Sequence, residues 1–233
     1  GDGLSHVSFG ALSIAVAAGW SPLKVSIPLV VLAAFFLLRI TEHGKVKSDA
    51  AIAMISASSL AVGIIVTSLT TGMTTDVSSY MFGSILAMSR EDVILSAVLS
   101  IIVLCLFVFC YNKLFAVTFD ENFAKATGVN VELYNVLIAV LTAVTIVLGM
   151  RMMGAMLISS LIIFPALTAM RIFKSFRGVV ICSGVLAVVC FLFGIIFSYG
   201  CSTPAGASVV LVNLAAFIVF SVVQSVLMRV TKK

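Results

Sequence analysis

The chain has 233 residues, 62% of them apolar and only 10% charged, with a formal net charge of +5. A soluble domain is roughly half apolar and about a quarter charged, so this composition excludes a soluble enzyme, a disordered chain and a disulfide-stapled secreted domain. At about 20 residues per bilayer crossing, the length holds up to roughly ten helical spans.

Apolar runs bounded by charge or by Gly/Pro/Ser clusters predict an all-α, polytopic membrane protein of about eight crossings, organised as one domain over 1–233. The first run covers about Gly1 to Gly19 and ends at the turn Trp20-Ser21-Pro22. The second runs from Pro22 to Ile40, followed by the basic loop Thr41 to Ser48, in which His43 reads as solvated. The third is Asp49 to Leu69. A region richer in Ser and Thr, Thr70 to Asp92, then carries Tyr80 to Leu86, too short and too polar for a crossing. The fourth run is Val93 to Tyr111, and a polar stretch, about 112–130, separates it from the fifth, Val131 to Met150. The sixth, Met152 to Met170, carries Pro165, which is expected to kink or open it. From Gly178 to Met228 no residue is charged. Tyr199 to Pro204 divides this stretch into the seventh and eighth runs, with Thr203 expected as N-cap and Pro204 as first helical residue.

Basic residues orient these crossings. If the first run leaves the cytoplasm, then Arg39, Lys45, Lys47, Lys113, Lys125, Arg171, Lys174, Arg177, Arg229, Lys232 and Lys233 fall inside. Of the fourteen Lys and Arg, only Lys24, Arg90 and Arg151 fall outside. The positive charge therefore reads as a topology signal. No basic stripe with interleaved aromatics points to nucleic acid. The five cysteines form no CxxC pair; the four inside apolar runs read as small buried hydrophobes, while Cys201 sits near a predicted loop with no obvious partner. Gly149, Gly154 and the Ala/Ser-rich faces of the first and third runs suit close helix packing, and Met150, Met152, Met153 and Met156 read as packing residues.

Two places can carry chemistry. Asp2 and His6 are four apart and share one helix face. A carboxylate and an imidazole so placed can hold a divalent cation of the zinc or manganese class. The plainer alternative is a helix entrance, with Asp2 capping and His6 reaching water. The second place is Phe119 to Asn130, the longest cytoplasmic segment of helical character. Asp120 and Glu121 suit its start, and Gly128 is placed to end it. Phe119, Phe123, Ala124 and Ala126 offer an apolar face to a partner protein, or to the membrane surface in the plainer alternative. No GxxxxGK[ST], HExxH or GxSxG occurs, so the chain carries no P-loop and none of the common hydrolase signatures.

Gly1-Asp2-Gly3-Leu4-Ser5-His6-Val7 resembles the GDxxSH motif of permease subunits of bacterial ATP-binding-cassette importers for zinc, manganese and iron. Five further elements resemble that family in its order. They are Lys47 to Ile52, Tyr80 to Leu86, Phe119 to Gly128, Leu161 to Ala166 and Ser202 to Ala207. Together they span essentially the whole chain.

The resemblance implies a homodimeric pathway through two permease copies in the bacterial cytoplasmic membrane, and cytoplasmic ATPase subunits docked below. A metal-loaded binding protein docks outside. Asp2 and His6 fall on metal-pathway positions, and Phe119, Asp120, Glu121, Phe123, Ala124, Ala126 and Gly128 fall on the ATPase-coupling segment. The chain itself is then no enzyme and has no cofactor, the metal ion being its cargo.

The family carries a membrane helix ahead of GDxxSH, so the sequence is expected to be incomplete at its N-terminus. Ser8-Phe9 stand where many members have Leu-Pro, and Ser202 where many have Asp. The alternatives are a siderophore or vitamin B12 permease, which is larger and lacks the Asp/His pair, and a proton-coupled secondary transporter using Asp2 and His6 as a relay.

Overall fold

The computed structural model describes residues 2–43, 48–70 and 89–231, and every regular element among them is helical. Tyr80 to Leu86 and the loop residues Lys45 and Lys47 lie outside the described residues. Among the described residues, seven helices are long and apolar enough to cross a membrane. The eighth expected crossing is α1 (Asp2–Ala17), whose 16 described residues rise about 24 Å. The described chain divides into two compact units, one up to Met152 and one from Met153 onward.

In the first unit, α1 packs on α2 (Pro22–His43) and on α3 (Ser48–Leu69). Lipid supplies no hydrophobic drive between helices, so close approach through small residues holds them together. A Cβ on Gly10 would lie 2.7 Å from the Ser59 carbonyl oxygen, and one on Gly63 would lie 2.5 Å from the Phe9 ring. Phe9 is buried in that space, which accounts for an aromatic at this position. Thr67 Oγ1, which donates to the Gly63 carbonyl at 2.6 Å, also lies 3.4 Å from Ser13 Oγ across the same seam.

Helix α4 (Arg90–Phe119) starts at a capping box: Asp92 N–H donates to Ser89 Oγ (3.1 Å) and Ser89 N–H to Asp92 Oδ2 (3.4 Å). The apolar run predicted an end near Tyr111, but the helix continues eight residues further, to Phe119. The polar residues there are accommodated on its turns. Lys113 Nζ lies 5.7 Å from the Tyr134 ring centroid, Thr118 Oγ1 donates to the Leu114 carbonyl, and Leu114 and Val117 are buried. The short α5 (Glu121–Ala126) and α6 (Val131–Met153) complete this unit.

In the second unit, α7 (Ala155–Ile172) runs through Pro165 without a break in assignment, and α8 (Phe176–Cys201) begins at a Ser175 cap. Helix α9 (Ala205–Thr231) packs on both. A Cβ on Gly194 of α8 would lie 2.5 Å from Val209 Cα of α9, and the Phe164 and Phe217 rings meet at 6.2 Å. The start of α9 is one residue later than expected. Ser208 N–H donates to the Pro204 carbonyl, which makes Pro204 the cap, while Thr203 Oγ1 pairs with Ser208 Oγ at 2.7 Å.

All five cysteines are free thiols, but only Cys190 is buried. The expectation of buried cysteines fails because α4 and α8 turn most of their apolar surface outward.

Candidate cation site and coupling surface

Asp2 and His6 stand one turn apart on α1, Asp2 exposed and His6 half-buried. The turn that carries them is held against α3 by glycine. A Cβ on Gly3 would meet Ile52 Cγ2 at 2.8 Å and Ser56 Oγ at 3.2 Å. Ser5 Oγ donates to the Asp2 carbonyl at 2.6 Å, and Ser56 Oγ to the Ile52 carbonyl at 2.7 Å. Both hydroxyls donate back onto their own helices, and Asp2 and His6 are the ionisable side chains of α1. Among the described residues, no group of three or more His, Cys, Asp and Glu gathers around them. A carboxylate and an imidazole one turn apart on a helix can offer a cation one oxygen and one nitrogen donor.

The segment 119–128 forms the helix that its end signals predict. Asp120 leaves helical geometry (φ −151°, ψ 98°), ends α4 and caps α5, its Oδ1 accepting from Phe123 N–H at 2.9 Å. Glu121 opens the helix. At the other end Gly128 takes φ +80°, while Val129 N–H bonds the Ala124 carbonyl and Gly128 N–H the Lys125 carbonyl. This is the two-bond glycine termination of a Schellman motif.

The expected contact face divides by burial. Ala124 is fully buried with Val117 and Val131, so it anchors α5 to the flanking helices. Phe119 (74% exposed) and Phe123 (61%) remain on the surface, as do Ala126 and Gly128. Asn135 Nδ2 of α6 donates to Glu121 Oε1 at 3.2 Å and fixes α5 from a second side. Where α5 runs into α6, a cavity of about 310 Å³ is lined by Leu38 and Arg39 of α2 and by Asn130, Glu132, Leu133 and Val136.

One pairing escaped the sequence reading, which took Arg151 as one of the three basic residues on the outer side. Its Nη2 lies 3.7 Å from Asp92 Oδ2, and both side chains are nearly buried. No local spacing signals a contact between residues so far apart in the chain. The hint available was ionisable residues at the ends of two apolar runs. Of the methionines near Arg151, Met150 is core and Met156 is exposed. Ser202, at the turn before α9, adopts φ +52° and ψ +40°, a conformation that Asn and Asp take more readily than most residues.

Comparison with known proteins agrees with this architecture. The chain is 28% identical over 218 residues to the high-affinity zinc uptake system membrane protein ZnuB of Haemophilus influenzae, covering 94% of this chain and 84% of the relative. It is 30% identical over 219 residues to the manganese import system permease protein ScaB of Streptococcus gordonii, covering 94% and 78%. Among solved structures, PsaBC from Streptococcus pneumoniae in complex with Fab superposes with a TM-score of 0.82 at 29% identity, covering 94% of this chain and 79% of that one. With the model of the ABC 3 transport family matching residues 1–224, the chain belongs to that family and is a multi-pass membrane permease.

Proposed function

We propose that this permease carries a divalent transition metal ion of the zinc, manganese and iron class, with Asp2 and His6 as its ligands on α1. The observation that carries this reading is the carboxylate–imidazole pair on one helix face, held against α3 at Gly3, in a chain whose relatives are named for zinc uptake and manganese import. Two donors from one chain suit a cargo ion that must bind and then leave, and a second copy of the permease or water completes the coordination. The driving force comes from a separate cytoplasmic ATPase seated on 119–128. There Phe119 and Phe123 are the contact residues, Ala124 is the anchor, and Asp120, Glu121, Ala126 and Gly128 shape the helix and its ends. A metal-loaded binding protein docks at the opposite membrane face. Residues 1–233 then act as one permease domain, oriented with the basic loops inside.

Metal-limited growth tests the assignment. Cells relying on this permease with Asp2→Ala or His6→Ala should lose growth at low zinc or manganese and regain it when the metal is abundant. Unchanged growth and uptake at normal expression would overturn it.

A further inference from the structure

Helix α4 is 30 residues long yet buries only Asp92, Ser96, Leu114 and Val117. These four lie toward its two ends. At its C-terminal end, Val117 packs with Ala124 and Val131 at the coupling segment. At its N-terminal end, about 40 Å away along the axis, Asp92 meets Arg151 in the last turn of α6. Between those ends Leu95, Leu99, Val103, Phe107 and Tyr111 are half-buried along one face. The same two helices flank α5, so α4, α5 and α6 form a hairpin joined at the tip by α5 and, among the described residues, tied toward the open end by the Asp92–Arg151 ion pair.

We propose that Asp92 and Arg151 are positioning residues for transport. By pinning the end of α4 remote from the coupling segment onto α6, they carry movement imposed on α5 to the far end of the hairpin instead of letting α4 swing independently. This rests on the coupling role proposed for 119–128.

The chemistry of the pair suits a pin more than a packing element. Both side chains are nearly buried, and taking a charge pair out of water is costly. An apolar pair of similar volume would fasten the helices as well without that cost. Asp92 Oδ2 is also held by Ser89 N–H, so the carboxylate points toward α6 from a capped, rigid helix start. Arg151 lies in the last turn of α6, where a cation is favoured by the helix dipole. Three residues later Gly154 takes φ +85°, ψ 161°, backbone that essentially only glycine adopts. Each charge thus sits at a terminus where its own helix end is sharply defined. Ser96, one turn beyond Asp92, is buried with its hydroxyl unpartnered among the described residues, so polarity extends along this face of α4.

The test uses the full-length permease with its ATPase and binding protein in proteoliposomes, with manganese or zinc as the probe. It reads cation taken up per ATP hydrolysed. Asp92→Asn and Arg151→Gln should retain the ATPase on co-purification but lower the ratio about tenfold, within the range for mutations that alter coupling without touching either site. The swap Asp92→Arg with Arg151→Asp should recover most of the loss. In a background without the native cysteines, Asp92→Cys with Arg151→Cys should be uncoupled until a short bifunctional thiol reagent bridges the two positions. A wild-type ratio in both single variants, or no recovery on bridging, overturns the pin. Phe123→Asp separates the two proposals: if it keeps the ATPase bound, the coupling reading fails. If it releases the ATPase while Asp92→Asn and Arg151→Gln keep the wild-type ratio, only the pin fails.

Discussion

Placing a charge at Ala124 separates anchoring from contact in α5, the proposed coupling helix. Ala124 is fully buried among Val117 (2% exposed) and Val131 (4%), so Ala124→Asp must either bury a carboxylate without a partner or push α5 off its seat. An unpaired buried charge costs about 3–5 kcal/mol. What holds α5 down is smaller: the Asp120 cap, about 1 kcal/mol, the Ala124 methyl, about 0.8 kcal/mol, and the exposed Asn135–Glu121 bond, about 1 kcal/mol. The cheaper outcome is undocking of α5, with the rest of the first unit intact.

Limited trypsin digestion of inside-out vesicles reads this directly, because Lys125 lies in the released helix. Ala124→Asp should be cut there faster than wild type and should lose the ATPase on co-purification. Phe123→Asp alters a side chain that is 61% exposed. It should lose the ATPase while keeping wild-type protection at Lys125. An Ala124→Asp protein that stays protected and keeps its ATPase would refute the reasoning about the anchor.

Two further substitutions test the packing. Gly10→Ala would bring a Cβ to 2.7 Å from the Ser59 carbonyl, against an ordinary carbon–oxygen approach of about 3.3 Å. The α1–α3 seam must then open by roughly half an ångström, at about 1–3 kcal/mol. The expected result is a lower melting temperature of the detergent-purified protein together with reduced uptake. Gly128→Ala meets no neighbouring atom but keeps φ at +80°, at about 1–2 kcal/mol. Trypsin protection at Lys125 should drop while the melting temperature stays near wild type.

The crossings were legible because unbroken apolar runs and polar turns dictate helices in lipid whatever their neighbours. The short helix α5 was legible for a local reason too: Asp120 and Gly128 are end signals that act within a few residues. Asn112 and Lys113 misled, because polarity alone marked the end of α4. The helix in fact continues wherever apolar residues at helical spacing, here Leu114 and Val117, find a partner. Ala124 reads as surface in a short polar segment, and its burial depends on Val117 and Val131, which flank α5 in the chain but meet it only through the turns at its ends. The Asp92–Arg151 contact is least visible in the sequence, since nothing local ties the first turn of one helix to the last turn of another. For the candidate cation pair, spacing put Asp2 and His6 on one face, but the contact of Gly3 with Ile52 that fixes this face is a property of two helices together.

The most direct measurement is equilibrium binding of zinc and manganese to the purified full-length permease, comparing wild type with Asp2→Asn, His6→Gln and Phe123→Asp. Cation binding should be lost in Asp2→Asn and His6→Gln and kept in Phe123→Asp, whose change lies at the coupling surface. Wild-type binding in both Asp2→Asn and His6→Gln would contradict the assignment of these residues as the ligands of the transported ion.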